Sequence, residues 1–111
     1  MFEVQVASEE IWTAVVNNCE NVRTVLGDCT EIESVAHSKG LGMRVAKDKP
    51  LTERMKKIRE TGVVFAACEN TMKKKHVTKD QLVPFATTTD SGVAEVVRKQ
   101  EAGWSYIKSG I

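Results

Sequence analysis

The chain predicts an α/β domain, three-layer α/β/α around a parallel sheet of about five strands. Three observations predict it. Short apolar runs alternate with longer stretches whose apolar residues recur every three or four positions. Val63-Val64-Phe65-Ala66-Ala67-Cys68 is unbroken and apolar, and a strand apolar on both faces belongs in a sheet covered on both sides. The alternation of strand and helix calls for right-handed crossovers rather than hairpins. The 111 residues fit a single domain, 1–111, with enough chain for one core.

In order, Phe2 to Ala7 is the predicted first strand. Ser8 is placed to cap a helix whose first turn holds Glu9 and Glu10. Ile11, Val15, Cys19, Val22 and Leu26 then form an apolar stripe, widened by Trp12, Val16 and Val25. Glu20, Asn21 and Arg23 fall mostly outside it, and Gly27 stops the helix. Glu31 to Ala36 reads as strand two, anchored by Ile32 and Val35. His37-Ser38-Lys39-Gly40 is a connection, and Leu41 to Ala46 a short helix. Asp48-Lys49-Pro50 breaks it, with Pro50 suited to the first position of the next helix. That helix buries Leu51, Met55 and Ile58 and wets Arg54, Lys56, Lys57, Arg59 and Glu60. Thr61-Gly62 leads into the strand ending at Cys68, and Thr71 to His76 is helix-compatible. Thr78 caps a turn through Leu82, and Pro84 to Thr88 is strand four. Asp90-Ser91-Gly92 opens a helix with Val93, Val96 and Val97 on one face, and Gly103 ends it. Trp104 to Ile107 is the last strand. Trp104 and Tyr106 share one of its faces, as core or as a subunit interface.

Composition excludes several function classes. Sixteen basic and fifteen acidic residues leave a net charge of +1, too balanced to indicate nucleic acid or a membrane surface as partner. The longest apolar run, six residues, is far too short to span a membrane. Met1-Phe2-Glu3-Val4 has no basic leader and reads as a strand, so a cytoplasmic protein is expected. Cys19, Cys29 and Cys68 form no CxxC pair and are expected to be free thiols. His37 and His76 have no second ligand at metal spacing, so no metal site is expected. Gly40-Leu41-Gly42 has Val45 where a dinucleotide loop needs its third glycine, and no cofactor is expected.

Cys68 carries the chemistry. It is placed where a buried strand turns into a helix, at the carboxyl end of a strand, where open α/β sheets handle ligands. The helix dipole there favours thiolate. A reactive thiol there must be partly exposed; the alternative is a small buried hydrophobe. Asn70 and Thr71 are placed to hydrogen-bond the sulfur or to cap their own helix. Asp90-Ser91-Gly92 offers backbone N–H groups to an anion, or simply a helix cap. Lys73-Lys74-Lys75 reads as a solvated face near a helix end. Neither histidine pairs in sequence with the cysteine, so a nucleophile-and-base hydrolase finds no support.

The chain resembles the DsrE/DsrF-like family, in its short branch. The resemblance runs in order through Trp12, Asn17-Asn18, Val25-Leu26 and Val35-Ala36-His37-Ser38-Lys39-Gly40-Leu41. It continues through Gly62 to Thr71, then Ser91-Gly92-Val93 to Gln100 and Gly103-Trp104-Ser105-Tyr106-Ile107-Lys108. Relatives often carry a basic-Gly pair after the cysteine helix, where this chain has Lys75-His76. The resemblance implies a parallel five-stranded sheet, a homotrimer or hexamer, and sulfur relay through a persulfide on Cys68, with sulfur donor and acceptor proteins as partners. A non-catalytic oligomeric module binding a small anion or partner protein at the same strand ends is the alternative.

Overall fold

The computed structural model describes residues 1–45 and 49–110. Strands β1 (Phe2–Val4), β2 (Glu33–Ala36), β3 (Val64–Cys68), β4 (Thr87–Thr89) and β5 (Ile107–Ser109) form one sheet. It is parallel throughout, in the order β4-β3-β2-β1-β5. The helices are α1 (Glu9–Leu26), α2 (Gly42–Val45), α3 (Pro50–Arg59), α4 (Glu69–Lys75) and α5 (Gly92–Glu101). The α/β class, the three layers and the five parallel strands stand as the sequence predicted.

The strand order explains the layers. Steps from β1 to β4 all move one way across the sheet, and right-handed crossovers put their helices on one face. Trp12, Val15, Val16 and Cys19 of α1 and Met55 and Ile58 of α3 pack there with Val4, Ala36 and Phe65. The last step runs back past three strands, β3, β2 and β1, to β5, so α5 covers the other face. There Val96 packs with Val35 and Ala66, joined by Trp104 and Tyr106. The pleat assigns the residues: Phe65 and Ala67 face one layer, Ala66 and Cys68 the other.

Several boundaries differ from the predicted ones, each for a local reason. β1 ends at Val4 rather than Ala7, because Trp12 Nε1 of α1 donates to the Val6 carbonyl and turns the chain. β2 starts only at Glu33. Pro84 and Phe85 form a turn closed by the Ala86 N–H on the Val83 carbonyl, so β4 begins at Thr87 rather than Pro84. Trp104 N–H closes back on Lys99, which delays β5 to Ile107. The predicted Leu41–Ala46 helix is a 3-10 turn, Ser38–Leu41, followed by α2. Ala46, and Asp48 of the predicted break, lie outside the described residues. Of the α5 face, only Val96 is buried, while Val93 and Val97 are exposed.

Arg23 falls outside the apolar stripe of α1 in the sequence, yet it is buried. Its Nη1 donates to the carbonyls of Gly27 at 2.9 Å and Thr30 at 2.7 Å, and its Nε to Thr61 Oγ1 at 3.2 Å. It thereby answers the C-cap carbonyl of α1 and a carbonyl of the loop that follows. Arg44 is wholly buried: Nε reaches the Ala66 carbonyl, and Nη2 the Ser34 carbonyl and hydroxyl. Burial pulls its pKa down to about 9. Gly40 is required by packing, since a Cβ there would lie 2.3 Å from the Val4 carbonyl oxygen.

Candidate functional site

β3 ends where α4 begins, and Cys68 belongs to both. Its backbone is extended, at φ −76° and ψ 115°, so it stands as the N-cap of α4. Its Sγ accepts the Thr71 N–H at 3.5 Å. The chain therefore uses a thiol where Ser, Thr or Asp is the usual cap. The helix starts two residues earlier than the predicted Thr71 because the sulfur itself closes the first turn.

A second helix aims at the same atom. β4 lies beside β3 with Thr89 opposite Cys68, which brings the β4–α5 turn next to the sulfur. Ser91 caps α5, its Oγ accepting the Ala94 N–H at 3.2 Å. Gly92, the first residue of α5, has an N–H with no partner inside its helix. It donates to Cys68 Sγ at 3.2 Å. One sulfur thus takes orphan donors from two helix starts.

Thr71 adds its side chain. Its Oγ1 accepts the Ser38 N–H at 3.0 Å, and the hydroxyl acts on Cys68 to favour the thiolate. Burial pushes the Cys68 thiol pKa up. The bonds from the Thr71 hydroxyl, the Gly92 N–H, the Thr71 N–H and the Asn70 N–H outweigh it, and the net pKa lies below the ordinary thiol value. The partial exposure expected of a carrier thiol is not found: Cys68 is 4% exposed in the single chain.

Other residues singled out from sequence have different roles. Asn70 is exposed and contributes through its backbone N–H. Asp90 Oδ1 accepts the Ser91 N–H at 2.8 Å and bonds Arg98 Nη2 at 2.7 Å; Arg98 draws its pKa down to about 2. Ser91 is occupied as a cap. Thr71 and Gly92 are therefore the two singled-out residues whose groups converge on the sulfur, together with the Asn70 backbone. His76 caps the end of α4 at φ 55°, the left-handed conformation glycine adopts most readily. Among the described residues, no group of three His, Cys, Asp or Glu is arranged to hold a metal. No described helix is long and apolar enough to cross a membrane.

Sequence reasoning missed a neighbouring polar network. His37 Nε2 meets Glu3 Oε2 at 2.7 Å, and His37 Nδ1 meets Ser38 Oγ at 3.0 Å. A carboxylate only accepts, so Nε2 carries the proton of that bond. Tyr106 Oη donates to the other Glu3 oxygen. Burial pushes Glu3 up, but the Tyr106 and His37 bonds leave its pKa lowered; burial and Glu3 raise Tyr106 to about 12. The signal was available only with the sheet order. His37 follows Val35 by two residues, as Cys68 follows Ala66, and Val35 pairs with Ala66. The pleat then puts both on the α5 face of adjacent strands.

The opposite end of the sheet is different in kind. A hollow of about 320 Å3 opens there, lined among others by Met1, Phe2, Val22, Leu26, Ile32 and Trp104. It is apolar and lies at the amino ends of the strands, away from the cysteine and from where α/β sheets handle ligands.

The whole-chain arrangement matches a known structure. MTH1491, a protein of unknown function from Methanobacterium thermoautotrophicum, superposes with a TM-score of 0.88 at 28% identity. The match covers 96% of this chain and 95% of that one. No functionally curated protein matches the sequence. The model of the DsrE/DsrF-like family matches residues 17–109, a span that takes in the second half of α1, the Cys68 junction and the start of α5. The chain therefore belongs to the DsrE/DsrF-like family, a family often linked to sulfur relay.

Proposed function

We propose that the protein is a sulfur-relay carrier holding sulfane sulfur as a persulfide on Cys68. The observation that carries this reading is the donor set on Sγ, which favours thiolate despite burial. The reaction is a thiol–persulfide exchange. Cys68 thiolate attacks the terminal sulfur of a donor persulfide, forming a new S–S bond as the donor's own S–S bond breaks. The electron pair leaves on the donor's thiolate, the proton is shared between product sulfurs according to their pKa values, and nothing is oxidised overall. Discharge to an acceptor thiolate is the same step reversed. Thr71 and Gly92 hold the charge at both stages, since their donors suit thiolate before transfer and thiolate leaving group after it. A homotrimer or hexamer and cytoplasmic sulfur donors and acceptors complete the proposal.

A second reading has one observation in its favour. Cys68 is 4% exposed, and its sulfur links the starts of α4 and α5. On that reading the thiol is a structural cap in a non-catalytic oligomeric module that binds a small anion or a partner protein. Incubation with a cysteine desulfurase and cysteine, followed by intact mass measurement, separates the two. The carrier gains one sulfur atom, and Cys68→Ser gains none. Equal gain in both proteins, or none in either, removes the carrier reading.

A further inference from the structure

We propose that His37 is a positioning residue for the Cys68 thiolate, transmitting the Glu3–Tyr106 clamp across the sheet to two of the groups that donate to Sγ. The inference rests on the reading of Cys68 as the working thiol.

Two routes lead from the imidazole to the sulfur. The first runs through Ser38. His37 Nδ1 bonds Ser38 Oγ at 3.0 Å, and Ser38 N–H donates to Thr71 Oγ1 at 3.0 Å. That bond fixes the Thr71 hydroxyl, whose hydrogen bond is one of those lowering the thiol pKa. Ser38 sits at φ 54°, a left-handed conformation that a serine adopts only at a cost. The imidazole, anchored at its other nitrogen by Glu3 at 2.7 Å, is what holds this turn from the side.

The second route is contact. A Cβ built on Gly92 would lie 3.0 Å from His37 Cβ, 3.1 Å from Cδ2 and 3.3 Å from Cγ. The ring therefore rests directly on the Gly92 backbone and sets how closely α5 approaches β3. The N–H of that same glycine donates to Sγ at 3.2 Å. His37 is buried, so the ring has little freedom to move away. Glu3 on β1 faces it directly, Tyr106 ahead of β5 reaches it through Glu3, and Cys68 lies on the same sheet face at the end of the neighbouring β3. Lys108 on β5 acts on Glu3.

The test is a pH titration of the Cys68 thiolate by ultraviolet absorbance, read as the difference from Cys68→Ser. This readout needs no access to the sulfur. In His37→Ala both routes are cut, and the thiolate fraction at neutral pH should fall about tenfold, a shift of about one pKa unit. His37→Gln extends an amide N–H to Glu3 and should stay within about threefold of the parent. Glu3→Gln keeps the shape of the clamp and weakens it, giving an intermediate shift that decides the matter if His37→Ala does not fold. A Cys68 titration unchanged in folded His37→Ala, or in Glu3→Gln, overturns the proposal. Sulfur loading on the same samples keeps the two claims apart. Unchanged titration with intact loading overturns the positioning role alone. A His37-dependent titration with no loading upholds that role and removes the carrier reading alone.

Discussion

Cys19 and Cys68 are the same residue in two buried places, and their acidities move in opposite directions. Cys19 sits mid-helix in α1 at 0% exposure, and burial raises its pKa to about 11. Cys68 is 4% exposed, yet its pKa is lowered. The difference lies in the backbone nearby. In the middle of a helix the N–H groups are already bonded four residues back, so nothing is left to solvate a thiolate. At a helix start the first N–H groups are free, and Cys68 faces two such starts. Burial by itself does not set the chemistry of a thiol; the supply of unpaired donors does.

The sharpest way to break the comparison is to make one substitution at both places. Cys19→Ser puts a hydroxyl into an apolar site and should cost about 2 kcal/mol of unfolding free energy. Cys68→Ser puts a preferred N-cap where a cap already works, and should cost less than about 1 kcal/mol. Chemical denaturation of both variants checks this, and equal costs would mean that Sγ of Cys68 is ordinary core. Next in size is Gly92→Ala. Its Cβ meets His37 at 3.0 Å, so α5 must withdraw and take its N–H from the sulfur. The thiolate fraction at neutral pH should drop several-fold, about threefold to tenfold.

Glu33 extends the comparison to an acid. It is buried at the start of β2, with Lys99 Nζ 3.8 Å away and Oε2 lacking a protein partner among the described residues. Burial, then the nearby Glu95 carboxylate, raises its pKa to about 7. Like Cys19, it is a buried group without enough donors. The raised folded-state pKa means its favourable contribution is complete below about 4.5, the unfolded value, and is lost as pH rises through about 7. Glu33→Gln mimics the protonated acid. Its melting temperature should exceed the parent's by a margin that grows between those two pH values, and a margin independent of pH would contradict the assignment. The smallest effect is expected at Asp90→Asn. The Arg98 pair is solvent-exposed, so neither the melting temperature nor the Cys68 titration should move measurably.

How much could be read from the chain follows the same local logic. The unbroken run into Cys68, the Ser8 and Ser91 caps and the Gly27 stop depend on neighbours in sequence, and each landed where expected. The edges of β4 and β5 did not, because the turns closed by Ala86 and Trp104 are set by backbone bonds that composition does not announce. Arg23 and Arg44 look like surface residues in a pattern and become core residues only when carbonyls elsewhere need donors. The Glu3–His37–Tyr106 network joins residues 34 and 103 positions apart and exists only because β1 lies between β2 and β5. The site was legible as one cysteine; its surroundings required the strand order.

The most direct test of the account follows the β-carbon NMR shifts of Cys19 and Cys68 through one pH titration. Cys68 should move first, below the ordinary thiol value, and Cys19 last, near about 11. Cys68 titrating with Cys19, or after it, would contradict the claim that the two helix starts favour the anion of this sulfur.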